Sequence, residues 1–300
     1  MNKGILLVFC TAIISGFSIF INRFGVATTN PYVFTGLKNI IVAVLICAVL
    51  LITKDWKLLK ALNIKQWKTL VIIGLIGGSI PFLLFFKGLS LTTSAQGSFL
   101  HKTMFIYVII LAALFLKEKI NKKLLIGGLF LLIGSAYILR YIPHSLGIGD
   151  LFIVLAVLFW AIENIISKKL LNELSYRIVS WGRMFFGSIF IMIFLIITGQ
   201  ASLMVSLNSG QIIWTLITSI LLFGYVMTWY SGLKSVPVSL ASTILLLGAP
   251  ITTLLSFLYT GAVGKQEIIG VFLAALGLIT ILSLVRKIKI EKHNLCKDLN

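Results

Sequence analysis

Apolar residues fill this chain in long blocks separated by short polar stretches, and the blocks are too long and too uniformly apolar to be one face of a soluble fold. Charge-free runs cover residues 4–22, 69–86, 124–139, 235–264 and 268–285, and one run of fifty extends from 184 to 233. A helix crosses a bilayer with about 20 residues, so the longest run holds two crossings. Apolar length, flanking charges and breaks at Gly, Pro or Asn predict ten spans. The first five are 4–22, 32–52, 67–86, 92–116 and 124–141, and the second five are 151–167, 176–197, 211–232, 238–259 and 266–285.

Composition gives the same picture. Hydrophobic residues make up 59% of the 300 and charged residues 11%, against about a quarter charged in a soluble domain. With a mean hydropathy of +1.09, the chain has more apolar side chains than a water-facing protein of this size hides. A net charge of +18 would suggest nucleic acid in a soluble chain. Here the basic residues form short clusters between apolar blocks, so they read as topology signals and a nucleic-acid partner is not expected. Cys10, Cys47 and Cys296 show no paired or CxxC spacing, so no disulfide framework, metal or cofactor is expected.

The positive-inside rule orients the ten spans. Of the 26 Lys and Arg residues, nineteen fall on the side that carries both termini, four on the other side, and three (Lys38, Lys102 and Arg183) inside spans. Both termini are therefore expected in the cytoplasm, with the chain a multi-pass protein of the cell membrane.

The chain also repeats itself. Gly127 and Gly134 in the fifth span match Gly270 and Gly277 in the tenth, Gly88-Leu89 matches Gly232-Leu233, Lys38 matches Arg183 and Trp67 matches Trp214, at offsets drifting from 143 to 147. Five spans per copy is an odd number, so the second copy enters from the opposite face. The expected architecture is an all-α integral membrane protein of ten transmembrane helices in two inverted five-helix repeats, 1–143 and 147–286, followed by a basic cytoplasmic tail, 287–300. Inverted repeats are a recurring plan of secondary transporters, because two similar halves of opposite orientation exchange conformations around a shared site.

The stretch Leu114-Phe115-Leu116-Lys117-Glu118-Lys119-Ile120, with Gly127 nine residues after Glu118, resembles the motif closing each half of the EamA-like drug/metabolite transporter superfamily. Phe159-Trp160-Ala161 through Ser167-Lys168-Lys169 resembles the span that opens that family's second half. The resemblance implies a ten-helix bundle around a central cavity, cytoplasmic termini and export of small metabolites or amino acids. Two positions depart from the pattern: Gly261 stands near where the second motif Glu falls, and Ile106 stands where a proline would match Pro250.

Ionisable groups inside lipid are costly, so each is a candidate for the translocation path. At about 1.5 Å per residue, His101 and Lys102 lie roughly 15 Å below the outer edge of the fourth span. Lys102 reads as an anchor for an anionic substrate group or a titrating site, and alternatively as one member of a fixed ion pair. His101, about 100° around the helix from it, reads as a proton carrier or a satisfied core imidazole. Glu163 and Arg183 fall roughly 7 and 9 Å from the cytoplasmic edge, a matching depth that permits an ion pair. Glu163 is the candidate for a coupling proton or a cationic substrate group, tuned by Arg183 or Lys102; for Glu163 and Arg183, snorkelling to the headgroups is the alternative. Lys38 is expected to snorkel outward while remaining a site candidate. Gly74, Gly77, Gly78 and Pro81, and Gly248-Ala249-Pro250, predict discontinuities whose freed backbone groups line a cavity. Trp160 lies deep enough to line it too. Glu118, among Lys117, Lys119, Lys122 and Lys123, is expected in an interfacial network that orders its loop.

The leading function is secondary active export of a small metabolite or amino acid, coupled to protons, by alternating access. The expected partners are a small-molecule substrate and the lipid bilayer, with monomer or homodimer left open. Multidrug efflux of lipophilic cations is a second reading, which the basic interior disfavours. A lipid-modifying membrane enzyme is a third; the chain has neither HExxH nor GxSxG, and it is not read as an enzyme.

Overall fold

A computed structural model describes residues 3–92, 94–138, 147–260 and 265–297. The described residues form helices and connecting turns, with no strand among them. In chain order the helices are α1 (Lys3–Thr28), α2 (Pro31–Ile52), the short α3 (Trp56–Leu59), α4 (Ile64–Ile73) running through a π-helical segment (Gly74–Ser79) into α5 (Ile80–Leu89), α6 (Ser94–Lys102), α7 (Met104–Phe115) and α8 (Lys122–Ile138). The second half holds α9 (Ile148–Leu170), α10 (Tyr176–Ile197), α11 (Ser209–Ser235), α12 (Val238–Leu245), α13 (Gly248–Thr260) and α14 (Lys265–Lys297). Seven of these stretches are long and apolar enough to cross a membrane, and shorter apolar helices lie within Phe99–Phe115 and Val238–Thr252.

The ten predicted spans all have helical counterparts. Three are broken. In the third span the run of glycines and Pro81 produces the π segment between α4 and α5. The fourth breaks at Thr103, where the chain tightens to Thr103 N→Leu100 O (3.1 Å) and Ile106 N→Thr103 O (2.9 Å). The ninth breaks at Leu246-Leu247 in the same way, through Leu246 N→Thr243 O (3.2 Å) and Leu247 N→Ile244 O (3.0 Å). Lys102 and Leu246 stand 144 residues apart, the repeat offset, so the two breaks are repeat-related. The end of the fifth span lies outside the described residues. The tenth was expected to stop at Val285, yet α14 continues to Lys297, so most of the basic tail is helical.

Helix starts carry the same duplication. Asn63 and Gln66 form a reciprocal capping box at α4, with Gln66 N→Asn63 Oδ1 at 2.9 Å and Asn63 N→Gln66 Oε1 at 3.1 Å. Asn208 and Gln211, 145 residues on, form the same box at α11. Each box satisfies two orphan amides of a first turn.

The packing relates the halves by exchange. α1 lies against α11 and α5 against α9, a pair of contacts that swap when the halves are interchanged, whereas α2 against α10 and α8 against α14 map onto themselves. The last of these is very close. A Cβ at Gly134 would sit 2.7 Å from Gly270 O, and one at Gly277 2.7 Å from Gly127 O. Small residues let two backbones meet where no side chain fits between them, which is how helices gain packing energy in lipid.

Candidate translocation site

The Gly77 carbonyl is where the sequence pattern and the chemistry meet. In a regular helix it would accept from the amide four residues on, but that residue is Pro81, which has no N–H. Three donors from the other half take it instead: Trp160 Nε1 at 3.0 Å, Arg183 Nη2 at 3.1 Å and Arg183 Nε at 3.2 Å. Asn39 Nδ2 reaches the next carbonyl, Gly78 O, at 2.8 Å. The expected discontinuity is thus present, and its freed carbonyls orient an indole, a guanidinium and an amide. Glycine is required here because a Cβ at Gly77 would lie 2.3 Å from Glu163 Cγ, and one at Gly78 2.1 Å from Arg183 O.

Glu163 and Arg183 therefore flank one glycine, but they do not pair directly. The Glu163 carboxylate accepts from Tyr230 OH at 2.5 Å and from Ser167 Oγ. The Arg183 guanidinium lies 5.8 Å from the Tyr230 ring centroid and 5.6 Å from that of Phe82, so Tyr230 bridges the acid and the base. Both charged residues are buried, at 1% and 5% exposure. They do not snorkel to the membrane surface.

Lys38 departs from its expectation as well. Its ammonium is turned inward, donating to Asn22 Oδ1 at 2.8 Å and lying 5.3 and 5.0 Å from the Phe34 and Phe86 ring centroids. The amide and the two aromatic faces offset its desolvation, which an outward path past the neighbouring helices would not do.

These groups border a cavity of about 130 Å³ between the two halves. Its walls include Asn22 on α1, Lys38 on α2, Phe82, Phe85 and Phe86 on α5, and His101 on α6; Trp160, Glu163 and Asn164 on α9, Arg183 on α10 and Tyr225 and Trp229 on α11 complete it. The repeat-related cations Lys38 and Arg183 thus face the same space. Trp160 contacts Phe82, Phe85 and His101 at 5.4, 5.4 and 5.5 Å between centroids. Trp229 Nε1 donates to Asn164 Oδ1 at 3.0 Å, which fixes both side chains at the wall.

Of the remaining candidates, Pro81 acts through Gly77. Pro250 lies in the first turn of α13, just past the ninth-span break. Lys102 is buried at 3% exposure and does not line the main cavity. Asn22, Asn164, Tyr225 and Tyr230 also stand at the site and are not charged, so burial of charge does not single them out. The available signal was an amide or phenol inside an otherwise apolar span.

One end of the bundle is tied by polar bonds. The Glu118 carboxylate accepts from Val238 N (2.8 Å), Ser239 N (3.1 Å) and Ser239 Oγ (2.5 Å), capping α12. Lys168 Nζ donates to Leu233 O (2.6 Å) and Val236 O (2.8 Å), and Lys234 Nζ to Leu174 O (3.0 Å). Arg177 pairs with Asp55 at 2.7 Å. Glu118 thus departs from its expectation: its carboxylate is engaged by α12 of the other half rather than by the lysines around it.

A helical membrane protein with duplicated halves, broken helices and polar groups gathered around a cavity between the halves has the architecture of a transporter. The profile of the EamA-like transporter family matches residues 2–140 and again 147–283, so the chain belongs to that family. Among curated relatives, the uncharacterized transporter YyaM of Bacillus subtilis (strain 168) is 25% identical over 296 residues, covering 93% of this chain and 94% of its own. The uncharacterized transporter sll1164 of Synechocystis sp. is 26% identical over 265 residues, covering 81% of this chain and 73% of its own. A crystal structure bearing no functional name shares the fold with a TM-score of 0.77 at 17% identity, covering 96% of this chain and 99% of its own.

Proposed function

We propose that this transporter exports small zwitterionic or anionic metabolites, amino acids among them, by alternating access of the central cavity, in exchange for protons. The observation that carries the reading is the cavity wall itself, where Lys38, Arg183 and Glu163 stand among six large aromatic side chains. Two cations and one acid suit a substrate with a carboxylate and an amine. In this reading Lys38, which has one side-chain acceptor in Asn22, receives the carboxylate, and Glu163 receives the amine in competition with Tyr230 and Ser167. The aromatic faces take the apolar part. Arg183 and Trp160 hold the π segment in shape through Gly77 O, so they position the site. A lipophilic cation would meet two like charges in this cavity, which speaks against multidrug efflux.

The bonds of Glu118 to α12 and of Asp55 to Arg177 tie the two halves together at the end of the bundle that the positive-inside count assigns to the cytoplasm. Opening that end breaks these ties between the halves, and the two inverted halves allow the opposite end to close in turn.

The test is uptake by purified protein in proteoliposomes of a panel of radiolabelled amino acids and metabolites, with and without a pH gradient. Saturable flux of at least one compound is expected, reduced at least tenfold in Glu163→Gln with no loss of folded protein. Absence of flux over the whole panel overturns the reading, and undiminished flux in Glu163→Gln removes Glu163 from the site.

A further inference from the structure

Lys102 is not used by the site above. It borders a separate cavity of about 10 Å³ together with His101, Met104 and Phe105 from the fourth-span break and Ser242, Leu245 and Leu246 from the ninth-span break. The two discontinuous helices, one from each half, thus meet at this lysine. A space of this size is at the lower limit for one water and excludes an organic substrate. Lys102 Nζ is buried and has no hydrogen-bond partner among the described residues, and the same holds for His101 Nδ1.

An ammonium in that position is costly unless a carboxylate answers it. The elements packed against α6 are α5, α7, α8 and α9. Their titratable and charged side chains are Lys87 on α5, Tyr107 on α7, Lys122, Lys123 and Tyr137 on α8, and Asp150, Glu163, Lys168 and Lys169 on α9, while α12, across the small cavity, has none. Both acids among these are engaged elsewhere. Asp150 accepts from Thr92 Oγ1 (2.8 Å), Gln96 Nε2 (2.7 Å) and Gly147 N (2.9 Å), and Glu163 from Tyr230 and Ser167. Across the small cavity from Lys102 lie Ser242, Leu245 and Leu246 of the second half, which bring no charged side chain to it. These residues move with the second half, so any rocking of the halves changes the surroundings of the ammonium.

We propose that Lys102 is the proton-coupling site of the transporter. Its Nζ gives one proton to water at one membrane face and becomes the neutral amine. It takes one proton from the other face to restore the ammonium, so one positive charge crosses per cycle. His101 and Met104, which border both cavities, form the wall through which the state of Lys102 acts on the substrate site. The assignment rests on the transport reading above.

The experiment uses full-length protein in proteoliposomes with a uniformly ¹⁴C-labelled amino-acid mixture as probe. It measures two quantities: counterflow exchange without a pH gradient, and accumulation driven by one, with pyranine reporting lumenal pH. Wild type is expected to show both. Lys102→Met and Lys102→Arg are expected to retain exchange within about twofold while losing at least 90% of gradient-driven accumulation and of the pyranine response. Arginine keeps the charge but does not release its proton, so recovery of coupling in Lys102→Arg means a structural charge and overturns the proposal. If Lys102→Met does not fold, Lys102→Arg alone decides. Coupled accumulation that survives in the variants, loss of exchange in a folded variant, or wild-type exchange indifferent to pH each overturns the proposal and leaves transport standing. No movement of label in wild type overturns the transport reading for amino acids, and this one with it.

Discussion

Pro81 shows how one side chain is felt across the site. By withholding an N–H it leaves Gly77 O to Trp160 and Arg183. In Pro81→Ala the new amide competes for that carbonyl and the third span regains a regular helix. Because that leaves the buried Arg183 and Trp160 donors short of an acceptor, the expected result is a lower melting temperature with flux lower by about tenfold, read by thermal unfolding and by proteoliposome uptake. The Trp229 indole makes a single bond, to Asn164, and Trp229→Phe leaves that acceptor unanswered. The expected cost is about 1 kcal/mol in denaturant unfolding, and Tyr in its place is not expected to restore the bond because its hydroxyl lies in a different position. Ionisable residues were visible as candidates from position alone. Their partners were not, since a sequence does not tell which tyrosine on α11 lies opposite a glutamate on α9.

Helix by helix, the spans follow from apolar length, and two of the caps follow from Asn-x-x-Gln at 63–66 and 208–211. Gly127/Gly134 and Gly270/Gly277 each stand seven residues apart, two helical turns and so on one face, and in the structure each pair faces the other. Leucine at Gly134 or Gly270 would drive a side chain into backbone, so either substitution is expected to lower stability by at least about 2 kcal/mol. Gly210→Ala, with its nearest neighbour 3.4 Å from the added Cβ, is expected to change stability by less than about 0.5 kcal/mol. Thermal unfolding of the three variants in one detergent makes the comparison. The fourth-span break at Thr103 carried no Pro or Gly to mark it; it is set by where the ninth-span break and the neighbouring helices lie.

The arrangement of the two halves carries the prediction about orientation. In a cysteine-free background, Ser206→Cys, exposed between α10 and α11, is expected to react with a membrane-impermeant maleimide in intact cells. Lys57→Cys, exposed near α3, is expected to react only after permeabilisation. The opposite pattern would invert the topology and place the Glu118 and Lys168 ties on the external face.

Hydropathy, charge asymmetry and internal repetition needed no coordinates, because lipid imposes span length, backbone satisfaction and loop charge on each segment separately. Ten crossings, two inverted copies and the buried ionisable residues are properties of that kind. The inward turn of Lys38, the bridging of Glu163 and Arg183 by Tyr230, the sharing of Gly77 O and the isolation of Lys102 depend on which helices pack together and at what rotation. Trp160 and Arg183 reach Gly77 O only where the two halves meet, and Tyr230 and Trp229 reach Glu163 and Asn164 only through the packing of α11 on α9; that packing decided where the charges point.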